Sequence, residues 1–450
     1  MSELLELASR IAGRAVAGED IEAFVTHERN FSVKTFDAEV ENLSSAEPRG
    51  VGIRLVTGAR AGFAYTTDLT EKGIDVALGL ARDNARHATP DEALGLAPAW
   101  RQEVAEVEGL FDDSFPSVSP EEKVSFALSL ERATKVADPR IRTVEEAVYS
   151  DSDAEVAIAT STGVTASYRE TSAWCYSIAI AADGDDTQVG FDFDLARGLG
   201  GLDAHSLARR AANRALGVLG ATKIPSAKMP VVFDPYTAGQ FLGVLASALS
   251  AEAVQKGRSL FAGRVGDKVA AEGLSLVDDG RVPAAPGSAP WDGEGVPTRR
   301  TEVIRDGVLQ SFLYDLTTAK REGRDSTGNA SRSGFKSAPS PAPTNLAFEA
   351  PGGSRADVLA RAGKALLVQD FHGVHSGANP VSGDFSVGVT GRILNGGELG
   401  APVKEVTIAL PMVDILSRIV AVADDRRWLP FGGSYGGATT LVSEMTVGGR

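Results

Sequence analysis

The hydrophobic period of this chain switches back and forth between that of a helix and that of a strand. Leu4, Leu7, Ala8, Ile11, Ala12 and Ala15 share one helical face over residues 2–17, with Gly18 placed to end the helix. From Ile21 the period drops to two: Ile21, Ala23 and Val25 alternate with polar residues, as do Val51, Ile53 and Leu55. A period of 3.6 buries one stripe of a helix and a period of two buries one face of a sheet, so both kinds of element must share a core. The switching follows no regular strand–helix–strand rhythm and no repeat stands out. The expected class is therefore α+β with antiparallel sheets.

The 450 residues are enough for two or three domains, and the pattern divides best into two, 1–220 and 221–450. In the first, helices pack on an antiparallel sheet. A helix is predicted over about 70–87, and Ser119-Pro120-Glu121-Glu122 reads as a capping box with proline at the first helical position, opening a helix to about 137. Residues 140–194 are predicted to form four or five short antiparallel strands, with turns at Ser161-Thr162-Gly163 and Asp183-Gly184-Asp185. A helix over 203–218 and a Pro-containing linker over 220–230 close this half. The second half should be mainly antiparallel β around one long buried helix at 236–256. Hairpins are expected at Asp306-Gly307 and Asn395-Gly396, helices at 354–366 and 411–422, and a long polar loop over Ser326–Thr344.

Composition narrows the function. Sixty acidic against 45 basic side chains give a formal charge of −15, which argues against a nucleic-acid binder. The single cysteine, Cys175, allows no intrachain disulfide and fits a cytoplasmic location. Acidic residues stand where a secretory signal needs basic ones, and no stretch approaches the ~18 apolar residues of a membrane span.

No catalytic constellation assembles from the residues alone. His27-Glu28 begins like a zinc-peptidase motif, but no second histidine follows in register. Asp370, His372 and His375 could converge on a metal only through a bend at Gly373. Gly432-Gly433-Ser434-Tyr435-Gly436 matches a nucleophile elbow, yet no histidine follows it, and there is no phosphate-binding G-x-x-x-x-G-K-[ST]. Asp278-Asp279-Gly280 reads as a turn and Cys175 as a packed thiol.

Longer stretches carry more information. Gly377-Ala-Asn-Pro-Val-Ser-Gly-Asp-Phe-Ser386, Asn395-Gly-Gly-Glu398, Pro402-Val-Lys-Glu-Val-Thr-Ile408, Ser259-Leu-Phe-Ala-Gly-Arg-Val-Gly266 and Glu444-Met-Thr-Val-Gly-Gly449 together resemble the TldD/PmbA family of bacterial metallopeptidase subunits. Gly50-Val-Gly-Ile-Arg-Leu55 extends the resemblance into the first half. That family contains two sister types that pair. The TldD type carries His-Glu-x-x-x-His on a helix and a downstream cysteine; the TldE (PmbA) type lacks them. Anchoring on Ser259 places the two histidine columns near Leu242 and Ser247 and the glutamate column near Gly243, in a stretch without histidine, and no cysteine follows Cys175.

The resemblance thus implies a TldE-like chain with no catalytic or metal-binding residue of its own. Zinc would sit in a TldD-type catalytic partner, the substrates would be peptides or unfolded small proteins, and neither nucleic acid nor membrane would be bound. A stand-alone homodimeric binding or scaffold protein is the alternative. Ser376, Asn379, Ser382 and Asp384, with the 326–344 loop, are chosen for their polarity as candidate peptide contacts.

Overall fold

The computed structural model describes residues 2–100, 104, 106–350 and 352–449. Helix α1 (Glu3–Ala12) starts at Ser2, whose hydroxyl accepts from the Leu5 N–H, and lays Leu7, Ala8, Ile11 and Ala12 on a sheet. That sheet is built from β1 (Glu19–Phe36), β2 (Glu39–Ala46), β3 (Arg49–Thr57), β4 (Arg60–Thr66), β5 (Ile141–Thr160), β6 (Thr165–Asp183) and β7 (Asp186–Ala196). Its order is β4-β3-β1-β5-β6-β7, with β2 beside the far half of β1, and every pairing is antiparallel.

Helices α1 and α2 (Glu71–His87) cover one end of one face, against Ile21, Ala23, Val25 and Ala157. Helices α3 (Pro120–Lys135) and α4 (Ala204–Leu216) cover the other end, against Phe31, Val33, Tyr149 and Cys175. The capping box at Ser119 forms as expected, the hydroxyl accepting from the Glu122 N–H while the Glu122 carboxylate accepts from the Ser119 N–H at 2.8 Å. Residues 140–194 correct the sequence expectation: they make three strands, two of them 19 and 20 residues long. The β5 register shifts between Ile141 and Thr143 and between Val144 and Glu146 interrupt the alternation, which makes one strand look like two.

The remaining strands form two six-stranded sheets and a two-stranded ladder of Ala330–Ser331 with Ser340–Pro341. In chain order the elements are β8 (Ala227–Phe233), α5 (Pro235–Leu249), α6 (Ala251–Gln255), β9 (Ser275–Asp279), β10 (Arg300–Arg305), β11 (Val308–Leu309) and α7 (Leu316–Arg321). Next come β12 (Ala330–Ser331), β13 (Ser340–Pro341), β14 (Asn345–Glu349), α8 (Arg355–Ala362), β15 (Lys364–His372) and α9 (Val374–Gly377). The chain closes with β16 (Ser386–Asn395), β17 (Glu398–Ala409), α10 (Met412–Ser417), β18 (Ile419–Val422), β19 (Arg427–Leu429), β20 (Ser434–Gly437) and β21 (Thr440–Gly448).

One sheet runs β11-β10-β9-β14-β20-β19; the other runs β17-β16-β15-β8-β21 and closes on itself, because β17 also pairs with β21. The β14–β20 and β8–β15 pairs are parallel and the rest antiparallel. The class is α+β.

Of the predicted helices, that over 236–256 is broken at Ser250 and resumes as α6, and two others end early. The long helix stops at Leu249 because Ser250 is extended and the 249–251 backbone instead bonds Leu313 at 3.0 and 2.9 Å. Gly363 turns left-handed (φ +63°) after α8, so 364–366 join β15. Helix α10 gives way at Arg418 to β18, where Ile419, Ala421 and Val422 pair with β21. The loop over 326–344 is not a free polar loop: Ser326, Asn329, Ala330, Phe335 and Pro341 are buried in it. Among the described residues, no helix is long and apolar enough to cross a membrane.

Candidate functional site

Helix α5 is where the resemblance would place a metal motif. Asp234 caps it, its carboxylate accepting from the Thr237 N–H at 3.1 Å, and Pro235 takes the first helical position. Phe241 inserts among Phe233 and Phe385, with ring centroids 5.8 and 5.4 Å apart. The opposite face lies unusually close to β20: a Cβ on Gly437 would stand 1.9 Å from the Pro235 carbonyl oxygen and 2.5 Å from the Gly239 nitrogen. Leu242 is fully buried in the core, Gly243 lies beneath the Tyr435 ring with its absent Cβ 3.2 Å from Cε2, and Ser247 is exposed. A zinc ion needs about three nitrogen, oxygen or sulfur donors of suitable charge. Here the three positions offer one hydroxyl, and the volume of a side chain at 243 is occupied by Tyr435. The residues present do not fit a zinc site.

A large cleft lies elsewhere. The face of β5–β6–β7 turned away from the helices forms its floor, and loops around 284–298, 329–344 and 427–434 form its roof. Its widest part is a cavity of about 550 Å³ walled by Trp174, Phe193, Trp428 and Phe431 over Ser152 and Ser172. It continues past Glu170 into a second space of about 400 Å³ and past Ser172 and Trp174 into a third of about 230 Å³ beside Ser32 and Ser44. The alternation of β6 explains the floor: Ala173 and Cys175 point into the helices, so Ser172 and Trp174 face the cleft. Burial pushes the Cys175 thiol up and leaves it inert.

Buried polar groups tie the roof to β1 and β3 and brace it internally. Arg54 of β3 donates to Glu22 of β1 at 2.7 Å and lies 2.8 Å from Glu294 of the roof, while Arg332 also reaches Glu22. Against the burial penalty, Arg332 and Arg54 hold the Glu22 carboxyl below its usual range. Asp292 accepts backbone N–H bonds from Glu294, Val296 and Ala330 at 2.8 to 3.0 Å, and burial, reinforced by Glu294, pushes it up. Asp278, fully buried, accepts from Asn329 and from Thr344 and is pushed up to about 6 by burial. All three acids are thus held by arginine, amide, hydroxyl or backbone N–H donors from the surrounding elements.

Three family profiles match the chain: "PmbA/TldA metallopeptidase domain 1" over residues 21–85, the central domain over 113–219 and the C-terminal domain over 226–449. The chain belongs to the PmbA/TldD metallopeptidase family. It is 28% identical to the metalloprotease PmbA of Escherichia coli O157:H7, over all of this chain and 95% of that protein. A Thermotoga maritima crystal structure, described as a candidate modulator of a DNA gyrase, superposes with a TM-score of 0.89 at 26% identity, covering 98% of this chain and 99% of that one. TldE from Thermococcus kodakarensis has the same fold, with a TM-score of 0.89 at 22% identity over 99% and 100% of the two chains.

Within this PmbA/TldD fold the remaining sequence candidates fall in separate places. Ser376 lies in α9, and Asn379, Ser382 and Asp384 lie in the exposed turn that follows it, outside the cleft. Their polar atoms are engaged with each other and with local backbone: Asn379 Oδ1 accepts from the Val381 and Ser382 N–H groups, and the Ser382 hydroxyl donates to Asp384 at 2.6 Å. The 326–344 loop does line the cleft, through Asn329, Arg332 and Thr344. The bend at Gly373 is present (φ +70°), but His372 Nε2 lies 2.8 Å from the Thr390 hydroxyl. No three His, Cys, Asp or Glu side chains converge among the described residues. Ser434 donates to Asn345 at 2.7 Å from inside β20, so the G-x-S-x-G match is a strand, not an elbow. Trp174 and Phe431 escaped the sequence reading, although the alternation of β6 already set Trp174 opposite Cys175.

Proposed function

We propose that this chain is a non-catalytic, TldE-type subunit that works with a TldD-type zinc peptidase on peptides or unfolded small proteins. The observation that carries the reading is α5: at Leu242, Gly243 and Ser247 it offers a core leucine, a glycine under the Tyr435 ring and an exposed serine. Such a helix supports a wall but polarises no carbonyl. Zinc and the general base then belong to the partner, and this chain supplies surface. The 326–344 loop, which lines the cleft, and the exposed segment carrying Ser376, Asn379, Ser382 and Asp384 are its proposed peptide contacts. A cytoplasmic site of action belongs to the same proposal.

Two measurements test it. Affinity capture of the tagged chain from its native lysate should recover a subunit carrying His-Glu-x-x-x-His. Metal analysis and peptidase assays should find the purified chain zinc-poor and inactive, with activity appearing on addition of that subunit. Stoichiometric zinc together with hydrolysis by the chain alone would overturn the proposal. A stable homodimer that stays inactive in the presence of the catalytic subunit would favour a scaffold instead.

A further inference from the structure

The cavity between Trp174, Phe193, Trp428 and Phe431 has features that specify an occupant. Its volume of about 550 Å³ lies in the range, about 300–1,000 Å³, of pockets that enclose a small ligand. Every charged side chain on its wall is already paired: Glu170 with Arg197 at 3.1 Å, Asp194 with Arg210 at 3.1 Å and Arg427 with Asp192 at 2.7 Å. No charge is left over to recruit a phosphate, a free carboxylate or an ammonium group. The aromatic rings, by contrast, are offered to the space. Phe431 is 44% exposed although it packs edge-on against Phe193 at 5.2 Å, and Trp174 stacks on Tyr176 at 5.5 Å.

The floor leads away from the cavity in a straight line. Along β6 it runs from Tyr168 through Glu170 and Ser172 to Trp174, six residue steps, or about 20 Å at the ~3.3 Å rise of a strand. That length accommodates roughly six residues of extended polypeptide. The side spaces beside Ser32 and Asp292 lie at either end. A small molecule would use the cavity alone, whereas an extended chain uses both cavity and floor.

We propose that this cleft binds an extended peptide and that the Trp174–Phe431 cavity accepts one of its bulky, uncharged apolar or aromatic side chains. The inference deepens the reading of the chain as a peptidase subunit and takes from it only the source of the peptide. Selectivity then resides in the chain that does not cut: the cavity fixes one residue and thereby the register of the segment passed to the partner. Ser152 and Ser172 leave room for the ring and offer hydroxyls to the peptide backbone.

The test uses the purified full chain without partner or added zinc. Fluorescein-labelled hexapeptides Ser-Ala-X-Ala-Ser-Ala, with X as Trp, Phe, Ala or Glu, are titrated by anisotropy. The Trp and Phe peptides should bind at least about tenfold more tightly than the Ala and Glu peptides, the order expected for a desolvated aromatic anchor. Phe431→Ala, which removes an exposed ring and leaves the core intact, should lower that affinity about tenfold. Ser172→Trp, which fills the cavity from an exposed floor position, should erase the preference with an unchanged circular dichroism spectrum. Absent binding, equal binding of all four peptides, or a preference that survives both substitutions would overturn the inference. Because neither metal nor partner is present, failure to capture a catalytic subunit would leave this result standing, and the reverse holds as well.

Discussion

Replacing Arg54 by leucine tests the latch between sheet and roof. Arg54 is 6% exposed, and both acids it serves, Glu22 and Glu294, are fully buried. Glu22 retains Arg332 in the variant, but Glu294 keeps only the Leu316 N–H at 2.9 Å. Stranding one partner of a buried pair costs about 3–5 kcal/mol, and the surviving contacts place this case near about 3 kcal/mol. The loss should also depend on pH, with a definite sign. Burial already pushes Glu294 above its ordinary value of 4.5 while Arg54 pulls it down, so the variant raises it further. A folded carboxyl that holds its proton more tightly than the unfolded one loses stability as pH rises from the unfolded value toward the folded one. The gap between wild type and variant should therefore widen from pH 5 to pH 8, at most by about 1.4 kcal/mol per unit. Urea unfolding followed by tryptophan fluorescence at both pH values measures it. A loss below about 1 kcal/mol at pH 8, or the same loss at pH 5, would refute the assignment of a stranded Glu294.

Three further outcomes follow from the same structure. Asp278→Asn sets an amide N–H against the donors of Asn329 and Thr344 and should cost about 1–3 kcal/mol in denaturant titrations. Because the folded Asp278 value of about 6 lies above its ordinary 3.8, its contribution is present in acid and lost as pH rises through 6; thermal melts of the variant should lack that slope. Gly437→Ala forces a Cβ onto the Pro235 carbonyl at 1.9 Å and should lift α5 from β20, read as loss of soluble protein or a drop of about 3 kcal/mol or more. Phe335→Ala removes the ring that fills the space over Gly50, should cost about 3–5 kcal/mol, and should expose the 326–344 loop to limited proteolysis.

Local chemistry made parts of both halves of the fold legible. The Ser119 capping box and the Asn395-Gly396 hairpin are short-range signals, satisfied by atoms a few residues apart, and both form where the sequence places them. What failed was set at long range. Leu313 ends α5 at Ser250 by taking its backbone bonds, and β21 recruits 419–422 into a strand despite a helical pattern running through 411–422. The candidate site was harder still. Polarity suggested the Ser376–Asp384 segment, which satisfies itself, while the cleft is walled by Trp174, Phe193 and Phe431, residues that composition assigns to a core. The burial of Asp278 and Asp292 was set at long range too: Asn329 and Thr344 reach Asp278 from 51 and 66 residues away, and Ala330 reaches Asp292 from 38.

The closed ring of the second half has a consequence for biogenesis. Strand β21 bonds to β8, β17 and β18, so it is the closing stave between the first and last members of the barrel. Until residue 448 has left the ribosome, β8 and β17 present unsatisfied edges and the ring stays open. A premature stop before Thr440 should thus be far more damaging to yield than any single substitution on the surface, because it denies three staves their neighbour at once.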